Sequence, residues 1–309
     1  MPASYPTAAK TFATITNATT SDAAQINEPR EEITAIEQDL IAGLPVARGG
    51  TGLTSAGSAG QIPISTGSAY VLTSLEAEQT DATTGAQNNV NLSARFTVLR
   101  CTGAEPIFSG FTVNSAAPQA GDTVRIVCLG TSVRVTTQDN NSTAANRIIC
   151  PSTNGQIVGL NGTITLVYDD TTDRWRQTAV EPGAWLVAAY AAGNFTGSGG
   201  QTWGVDDADE VVTYQQRGNT LAVTIQISGS DVGGVANPSL VMTVPGGFTA
   251  TRAITAANLY IENAGGAGEV GILSVNGTSI SFVQSDSANW TGTATDNTTC
   301  KGQIVFEVT

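Results

Sequence analysis

Residues 121–128 read Gly121-Asp122-Thr123-Val124-Arg125-Ile126-Val127-Cys128, and this stretch decides the fold class. Val124, Ile126 and Cys128 recur at every second position. A period of two places such residues on one face of a β-strand. Glycine followed by aspartate is typical of a turn. The stretch therefore predicts a strand that follows a turn and buries one face.

The same period recurs from residue 95 to the end of the sequence, with turn clusters such as 139–141 between the alternating runs. Its apolar members include Phe96 and Val98, Val133 and Val135, Ile164, Leu166 and Tyr168, Leu221, Val223, Ile225 and Ile227, Leu240, Met242 and Val244, Ile280 and Phe282, and Ile304, Phe306 and Val308. Many short strands at this spacing predict a mainly β protein. We expect a middle β-domain at 76–182 and a C-terminal one at 183–309, each a sandwich or jelly roll.

Composition and charge narrow the possible functions. The 309 residues have a formal net charge of -13 and no run of Lys or Arg. Nucleic acid and anionic membranes are therefore disfavoured partners, because both attract basic surfaces. The chain has no histidine, which excludes Ser-His-Asp and Cys-His nucleophilic sites. We expect a structural protein rather than an enzyme, with no cofactor and no metal.

Cysteine spacing and hydropathy indicate the cellular compartment in which the protein is made and the oxidation state of its cysteines. Cys101, Cys128, Cys150 and Cys300 form no Cys-x-x-Cys pair, which argues against a zinc site. Buried free thiols are favoured over a disulfide framework in a chain of this length. Residues 1–27 lack the apolar core of a secretory signal, and the apolar run at 184–192 is too short to span a membrane. We expect synthesis in the cytoplasm and no membrane insertion.

The N-terminal third has a different pattern. Residues 1–26 are rich in Thr and Ala and predict an extended attachment segment. A helix is predicted at 27–44, because Asn27 can cap it, Pro29 suits its first turn and acidic residues follow. Residues 45–75 are a Gly-rich connector; they lack the Gly-Lys-Ser/Thr ending of a phosphate-binding loop.

The predicted helix carries a narrow apolar stripe of Ile33, Ile36 and Leu40 at heptad spacing, and Ile26, just before the helix, lies one heptad ahead of Ile33. A helix this short needs a partner in water. In a parallel coiled coil, isoleucine at both heptad positions a and d favours bundles of three or four helices over two. The stripe therefore predicts a trimer. The alternative is a helix that packs on the chain's own β-domain.

Three groups of segments resemble fibre and appendage proteins of tailed bacteriophages. The first is 27–44 followed by Val46-Ala47-Arg48-Gly49-Gly50-Thr51-Gly52. The second combines 121–127 with Ala145-Asn146-Arg147-Ile148, Leu166-Val167-Tyr168-Asp169-Asp170 and Arg174-Trp175-Arg176. The third runs from Asn194-Phe195-Thr196 and Thr202-Trp203 through Val244-Pro245-Gly246-Gly247-Phe248 and Asn289-Trp290 to 302–308. These motifs are structural rather than catalytic.

The resemblance implies a homotrimer in a virion, made in the bacterial host cytoplasm. Its N-terminus would attach to other virion proteins of the tail, baseplate or head, and its distal domain would recognise a host cell-surface glycan or protein. The alternative within the same resemblance is a head fibre or capsid decoration protein with a scaffolding role.

Aromatic residues of the last domain are the candidate receptor-binding residues, since such side chains often anchor recognition surfaces. The candidates are Trp185, Tyr190, Trp203, Tyr260 and Trp290. Ordinary core packing is their alternative role, and Trp175 is expected to cover the middle domain's core.

Two carboxylate groups could bind Ca²⁺ or act as acid and base. They are Asp169, Asp170 and Asp173, and Asp206, Asp207, Asp209 and Glu210. Neither has the ligand spacing of a calcium loop, so solvated turn acids are the favoured interpretation.

Overall fold

The computed structural model describes the backbone of residues 61–65, 70–74 and 76–309, and the side chains of 76–309 apart from 257, 258 and 293–295. The attachment segment 1–26, the helix 27–44 and most of the connector lie outside the described residues, as do Ile26, Ile33, Ile36 and Leu40. Within the connector, β1 (Gln61–Ser65) and β2 (Tyr70–Ser74) form an antiparallel hairpin. No helix in the described ranges is long and apolar enough to cross a membrane.

Residues 76–309 form one compact unit with two hydrophobic cores, and we call its two parts the rung lobe and the sheet lobe. The mainly β prediction is confirmed, because strands dominate the described residues and their only helices are short 3-10 turns. Those turns are Ala144–Asn146, Ala192–Asn194 and Pro245–Gly247.

The rung lobe is a short three-faced parallel β-helix closed by a mostly antiparallel cap. Its rung strands are β3 (Glu76–Asp81), β4 (Gly85–Gln87), β5 (Val90–Leu92), β6 (Phe96–Cys101), β7 (Pro106–Phe108), β8 (Phe111–Val113), β9 (Thr123–Cys128) and β10 (Ser132–Val135). Parallel ladders join β3, β6 and β9 on one face, β4, β7 and β10 on the second, and β5 and β8 on the third. The cap contains β11 (Ile148–Ile149), β12 (Gln156–Gly159), β13 (Thr163–Asp169) and β14 (Arg174–Glu181). The strands of the cap pair in antiparallel fashion, except for the parallel β11–β14 pair.

This stacked arrangement differs from the sandwich or jelly roll that the sequence predicted for the middle domain. Alternation reports that one strand face is buried, and it does not distinguish parallel from antiparallel neighbours. The phase also differs in β6, where Phe96 faces outward while Thr97 and Leu99 are buried. Trp175 is fully buried in this core, as expected, and its indole N–H donates to the Phe111 carbonyl at 3.1 Å.

The sheet lobe is built from one antiparallel sheet. Its strands are β15 (Leu186–Val187), β16 (Phe195–Gly197), β17 (Gln201–Gly204), β18 (Glu210–Arg217), β19 (Thr220–Gly234), β20 (Ser239–Thr243), β21 (Ile254–Glu262), β22 (Glu269–Asn276), β23 (Ser279–Gln284) and β24 (Thr293–Glu307). Their order is β15-β18-β19-β24-β21-β22-β23-β20-β16, and β17 pairs with β19.

The sheet curls around a single core as a half-barrel. Every second residue of β18, β19, β20 and β23 faces that core, as the period of two predicted. Bulges near Ser230 break the β19–β24 register, which is where long strands can bend. The two ends of the sheet, β15–β18 and β16–β20, leave an open seam between them because they do not pair with each other.

Two glutamines join the lobes, and we call them the glutamine clasp. Gln156 of β12 and Gln216 of β18 are each only 1% exposed. The Ile157 N–H donates to Gln216 Oε1 at 2.9 Å, and Gln216 Nε2 donates to the Gly155 carbonyl at 2.9 Å. In return Gln156 Nε2 donates to the Gln216 carbonyl at 3.1 Å. Ile157 itself packs in the sheet lobe's core, so the contact is both polar and apolar.

We expect Gln216→Met to lower the free energy of unfolding by about 2–4 kcal/mol, because it keeps the side-chain length but leaves buried backbone groups without partners. Urea denaturation of the full chain would measure it. The matched control is Gln226→Met on the exposed side of β19, with an expected change within about 0.5 kcal/mol. Equal effects of the two substitutions would contradict a role for the clasp.

Candidate functional site

The convex side of the sheet lobe gathers most of the exposed large apolar side chains, and we call it the outer face. Nine large apolar side chains are exposed among the described residues. Six of the nine lie on this face: Trp185, Val187, Val211, Tyr260, Val270 and Val305. Each alternates with a buried neighbour of the same strand, so all six point away from the core.

Strand register aligns part of the outer face in one row. Val211 pairs with Gln226, which pairs with Lys301. Lys301 pairs in turn with Tyr260, which pairs with Val270. Directly paired residues stand close together on one side of a sheet, so the row forms a continuous strip across five strands.

Two of the aromatic candidates lie on this face and two lie in the core. Trp185 and Tyr260 are 40% and 44% exposed. Trp203 and Trp290 are 4% and 0% exposed, so their prediction as receptor-binding residues is corrected. The Trp203 indole donates to Ser230 Oγ at 3.0 Å, and that of Trp290 donates to the Pro238 carbonyl at 3.1 Å. Both rings fill the half-barrel with their single donor satisfied.

Tyr190 has an intermediate position. Its hydroxyl donates to the Val205 carbonyl at 2.7 Å, and its ring stacks on Phe195 with centroids 6.4 Å apart. The Tyr260 hydroxyl is also bonded within the lobe, to the Glu262 carboxylate, so the difference lies in the rings. The Tyr190 ring packs on the core, and Tyr190 is therefore a less available contact than Trp185 or Tyr260.

The first carboxylate group occupies the β13–β14 hairpin turn. Asp169 accepts hydrogen bonds from Thr172 Oγ1 at 2.8 Å and Arg176 Nε at 2.7 Å. These bonds, that of Thr172 foremost, lower the pKa of Asp169 to about 2. Asp173 has a left-handed backbone with φ of 53°. These aspartates therefore stabilise the turn through the hydrogen bonds of Asp169 and the left-handed backbone of Asp173.

In the second carboxylate group, Asp206, Asp207 and Asp209 lie in the turn before β18 and Glu210 is the first residue of that strand. Asp206 and Asp209 lie close enough to Asp296, together with Asp231, for their charges to act on it. The Asp296 N–H donates to Asp231 Oδ1 at 2.7 Å. The charge of Asp231 is the main cause that raises the pKa of Asp296. Across the described ranges, no group of three or more His, Cys, Asp or Glu side chains is arranged to hold a metal ion.

A cleft of about 390 Å³ opens at the seam of the half-barrel, and we call it the junction cleft. The sheet lobe contributes both seam edges, including Phe195 and Met242 from one side and Glu210, Val212 and Tyr214 from the other. The rung lobe contributes Glu105 and Arg134. The cleft therefore exists only where the two lobes meet.

Charged side chains of the junction cleft are incompletely partnered. Arg134 Nε lies 3.9 Å from Glu105 Oε1 and has no hydrogen-bond partner. Glu210 Oε2 is buried without a hydrogen-bond partner, and burial, with a smaller contribution from the Asp207 charge, raises the pKa of Glu210. The same Glu105 and Arg134 charges act on Tyr214, whose pKa burial raises.

Sequence reasoning identified Glu210 only as a turn acid and did not identify the other cleft residues. Glu105, Arg134, Phe195 and Met242 are separated by long stretches of sequence and share no local pattern. The outer face did have a signal: Val211-Val212 and Val305-Phe306 place apolar residues in both phases of a strand. Such doublets predict a strand with two apolar faces.

All four cysteines are free and buried, as expected. Cys101 and Cys128 pair in register on successive rungs. Burial raises the pKa of Cys101 to about 12, with smaller effects of Asp81 and Cys128.

Comparison with known proteins adds no family to this description. No protein-family model matches the chain, and no curated protein matches it.

We expect Trp290→Ala to lower the free energy of unfolding by about 3–5 kcal/mol, because it removes a fully buried ring from the core. Trp185→Ala is the matched control on the outer face, with an expected loss of about 1 kcal/mol or less. Chemical denaturation would measure both. A larger loss for Trp185→Ala would contradict the assignment of the two rings.

We expect the stabilising effect of Asp169 to depend on pH. Its folded-state pKa lies below that of an unfolded aspartate, so the ionised carboxylate stabilises the fold above about pH 4. That contribution is lost as the pH falls through about 2. Asp169→Asn should thus lower the thermal midpoint at pH 7 and change it little at pH 2. Asp170→Asn changes the same charge one position away and is the control.

Proposed function

We propose that this chain is a structural fibre or appendage protein of a tailed-bacteriophage virion that presents its sheet lobe to a host surface. Residues 1–26 attach it to other virion proteins, and the stripe of Ile26, Ile33, Ile36 and Leu40 holds three copies together. The resemblance of the sequence motifs supports this architecture. Both β-lobes follow these segments along the chain.

The observation that carries the proposal is the outer face. Apolar side chains on a protein surface cost free energy in water, and a contiguous group of them commonly marks an interaction site. Here two large aromatics and four valines share one side of a rigid sheet. Aromatic residues supply much of the binding energy at recognition surfaces. We infer that Trp185 and Tyr260 are the anchoring residues.

Charge supports the same face. The chain has a net charge of -13, which repels acidic surfaces. Lys301 stands in the middle of the outer face. Lys301 therefore places one positive charge beside Tyr260, which lessens the repulsion between this strip and an acidic cell surface.

The test is binding of the fluorescently labelled full chain to cells of the host on which the virus grows. We expect the double substitution Trp185→Ser with Tyr260→Ser to reduce bound protein more than about tenfold, as loss of anchoring aromatics does. The control is Phe96→Ser with Leu160→Ser, two exposed apolar residues of the rung lobe.

Light scattering would report the mass of each variant. The proposal requires a trimer for the wild type and both variants. A fall to monomer on changing Trp185 and Tyr260 would make the outer face a contact between copies instead. Unchanged cell binding would contradict its role in host recognition. Deletion of 183–309 is a poorer test, because it would also expose Ile157 and break the glutamine clasp.

A further inference from the structure

The junction cleft has the form of a small-molecule site that the fibre role does not use. Its volume of about 390 Å³ falls within the range typical of ligand pockets. It lies at the meeting of two lobes and at the open seam of a half-barrel, and both are common places for such sites. Most of its sheet-lobe wall is apolar, with Phe195, Val212, Met242 and Val244 buried around it.

The charges of the cleft leave Glu210 without an ion-pair partner. Arg134 Nε lies within ion-pair distance of Glu105 Oε1, at 3.9 Å, although it has no hydrogen-bond partner. Glu210 forms no ion pair with any described residue. The backbone N–H of Val212 donates a hydrogen bond to its carboxylate, but Oε2 is buried without a hydrogen-bond partner. Partial burial of a charged carboxylate costs desolvation free energy when it has no counter-ion. A bound cation with hydrogen-bond donors would offset that free energy by pairing with the carboxylate.

The surroundings of Glu210 strengthen the negative potential. Asp206, Asp207 and Asp209 lie in the turn just before it, and residues 204–211 contain no Lys or Arg. Desolvation foremost, and then the charges of these acids and of Glu210 itself, raise the pKa of the neighbouring Tyr190. Because the described residues offer no metal-ligating group of three, a metal ion does not suit the position. An organic cation does, since the apolar wall can cover its carbon atoms.

We propose that the junction cleft binds a small organic cation, a primary ammonium on a short apolar stem, with Glu210 as its counter-ion. The ammonium donates hydrogen bonds to the carboxylate, and the stem packs against Phe195, Val212 and Met242. The inference is independent of the proposed virion function, because it depends only on the lobe junction.

Binding should depend on pH in a defined direction. The ammonium needs the ionised carboxylate, and the pKa of Glu210 lies above that of an ordinary glutamate through burial and the charge of Asp207. Affinity should therefore be present at pH 7 and decline as the pH falls through this raised value. The charged or titratable groups that interact electrostatically with Glu210 are Asp207 and Tyr190, and the cleft wall also contains Glu105, Arg134 and Tyr214.

The experiment is calorimetric titration of the full chain with n-butylammonium at pH 7, and with n-butanol as a neutral analogue of similar shape. We expect saturable binding of the ammonium and at least about tenfold weaker binding of the alcohol, since a hydrogen bond to a charged group is lost. Glu210→Gln should weaken ammonium binding by a similar factor and remove its pH dependence. Glu269→Gln removes one exposed charge outside the cleft and should leave affinity unchanged.

Three results would overturn the inference: no binding to the wild type, equal affinity for ammonium and alcohol, or equal weakening by Glu210→Gln and Glu269→Gln. Circular dichroism of each variant would show that the fold is retained. The comparison of ammonium with alcohol and the pH series use only the wild type, so they decide the question even if Glu210→Gln fails to fold.

Discussion

The glutamine clasp is the contact on which the rest of the 76–309 unit depends. A primary amide donates and accepts at once, so two buried amides can satisfy the backbone groups that face each other where two β-lobes meet. Gln156 and Gln216 do this across the junction, while Ile157 extends into the neighbouring core. The clasp fixes one lobe against the other. The junction cleft, whose wall contains Arg134 from one lobe and Tyr214 from the other, exists because of that fixed relation.

The strands were predictable from local sequence, and their partners were not. Alternation at Val124, Ile126 and Cys128 correctly indicated a strand with one buried face. It contains no information on whether the next strand runs parallel or antiparallel, and the rungs are parallel where a sandwich was expected. The large side chain of Phe96 suggested the buried phase of β6, but the lobe buries Thr97, whose hydroxyl donates to the Ala94 carbonyl at 2.9 Å.

The two candidate surfaces also differ in how far the sequence predicts them: the outer face had a local sequence signal, and the junction cleft had none. Trp185 is exposed and Trp290 is buried, although both are tryptophans outside the strands, so residue type alone could not tell which one enters the core. The adjacent apolar residues Val211-Val212 and Val305-Phe306 were the local sequence signal for the outer face. Nothing local could place Glu105 and Glu210 in the wall of one cleft, since that cleft forms where the two lobes meet at the open seam. Sequence thus indicates which strands carry two apolar faces, and only the folded chain shows which charges meet.

Each lobe contains at least one buried cysteine whose chemical modification would report when that lobe unfolds. Cys101, Cys128 and Cys150 lie in the rung lobe, and Cys300 lies in the sheet lobe. Their thiols are shielded from reagents in water, and burial raises the pKa of Cys150 to about 12, so almost no thiolate forms at neutral pH. Alkylation can therefore proceed only through transient unfolding. The order in which the four sulfurs react would reveal whether the two lobes open separately or as one cooperative body.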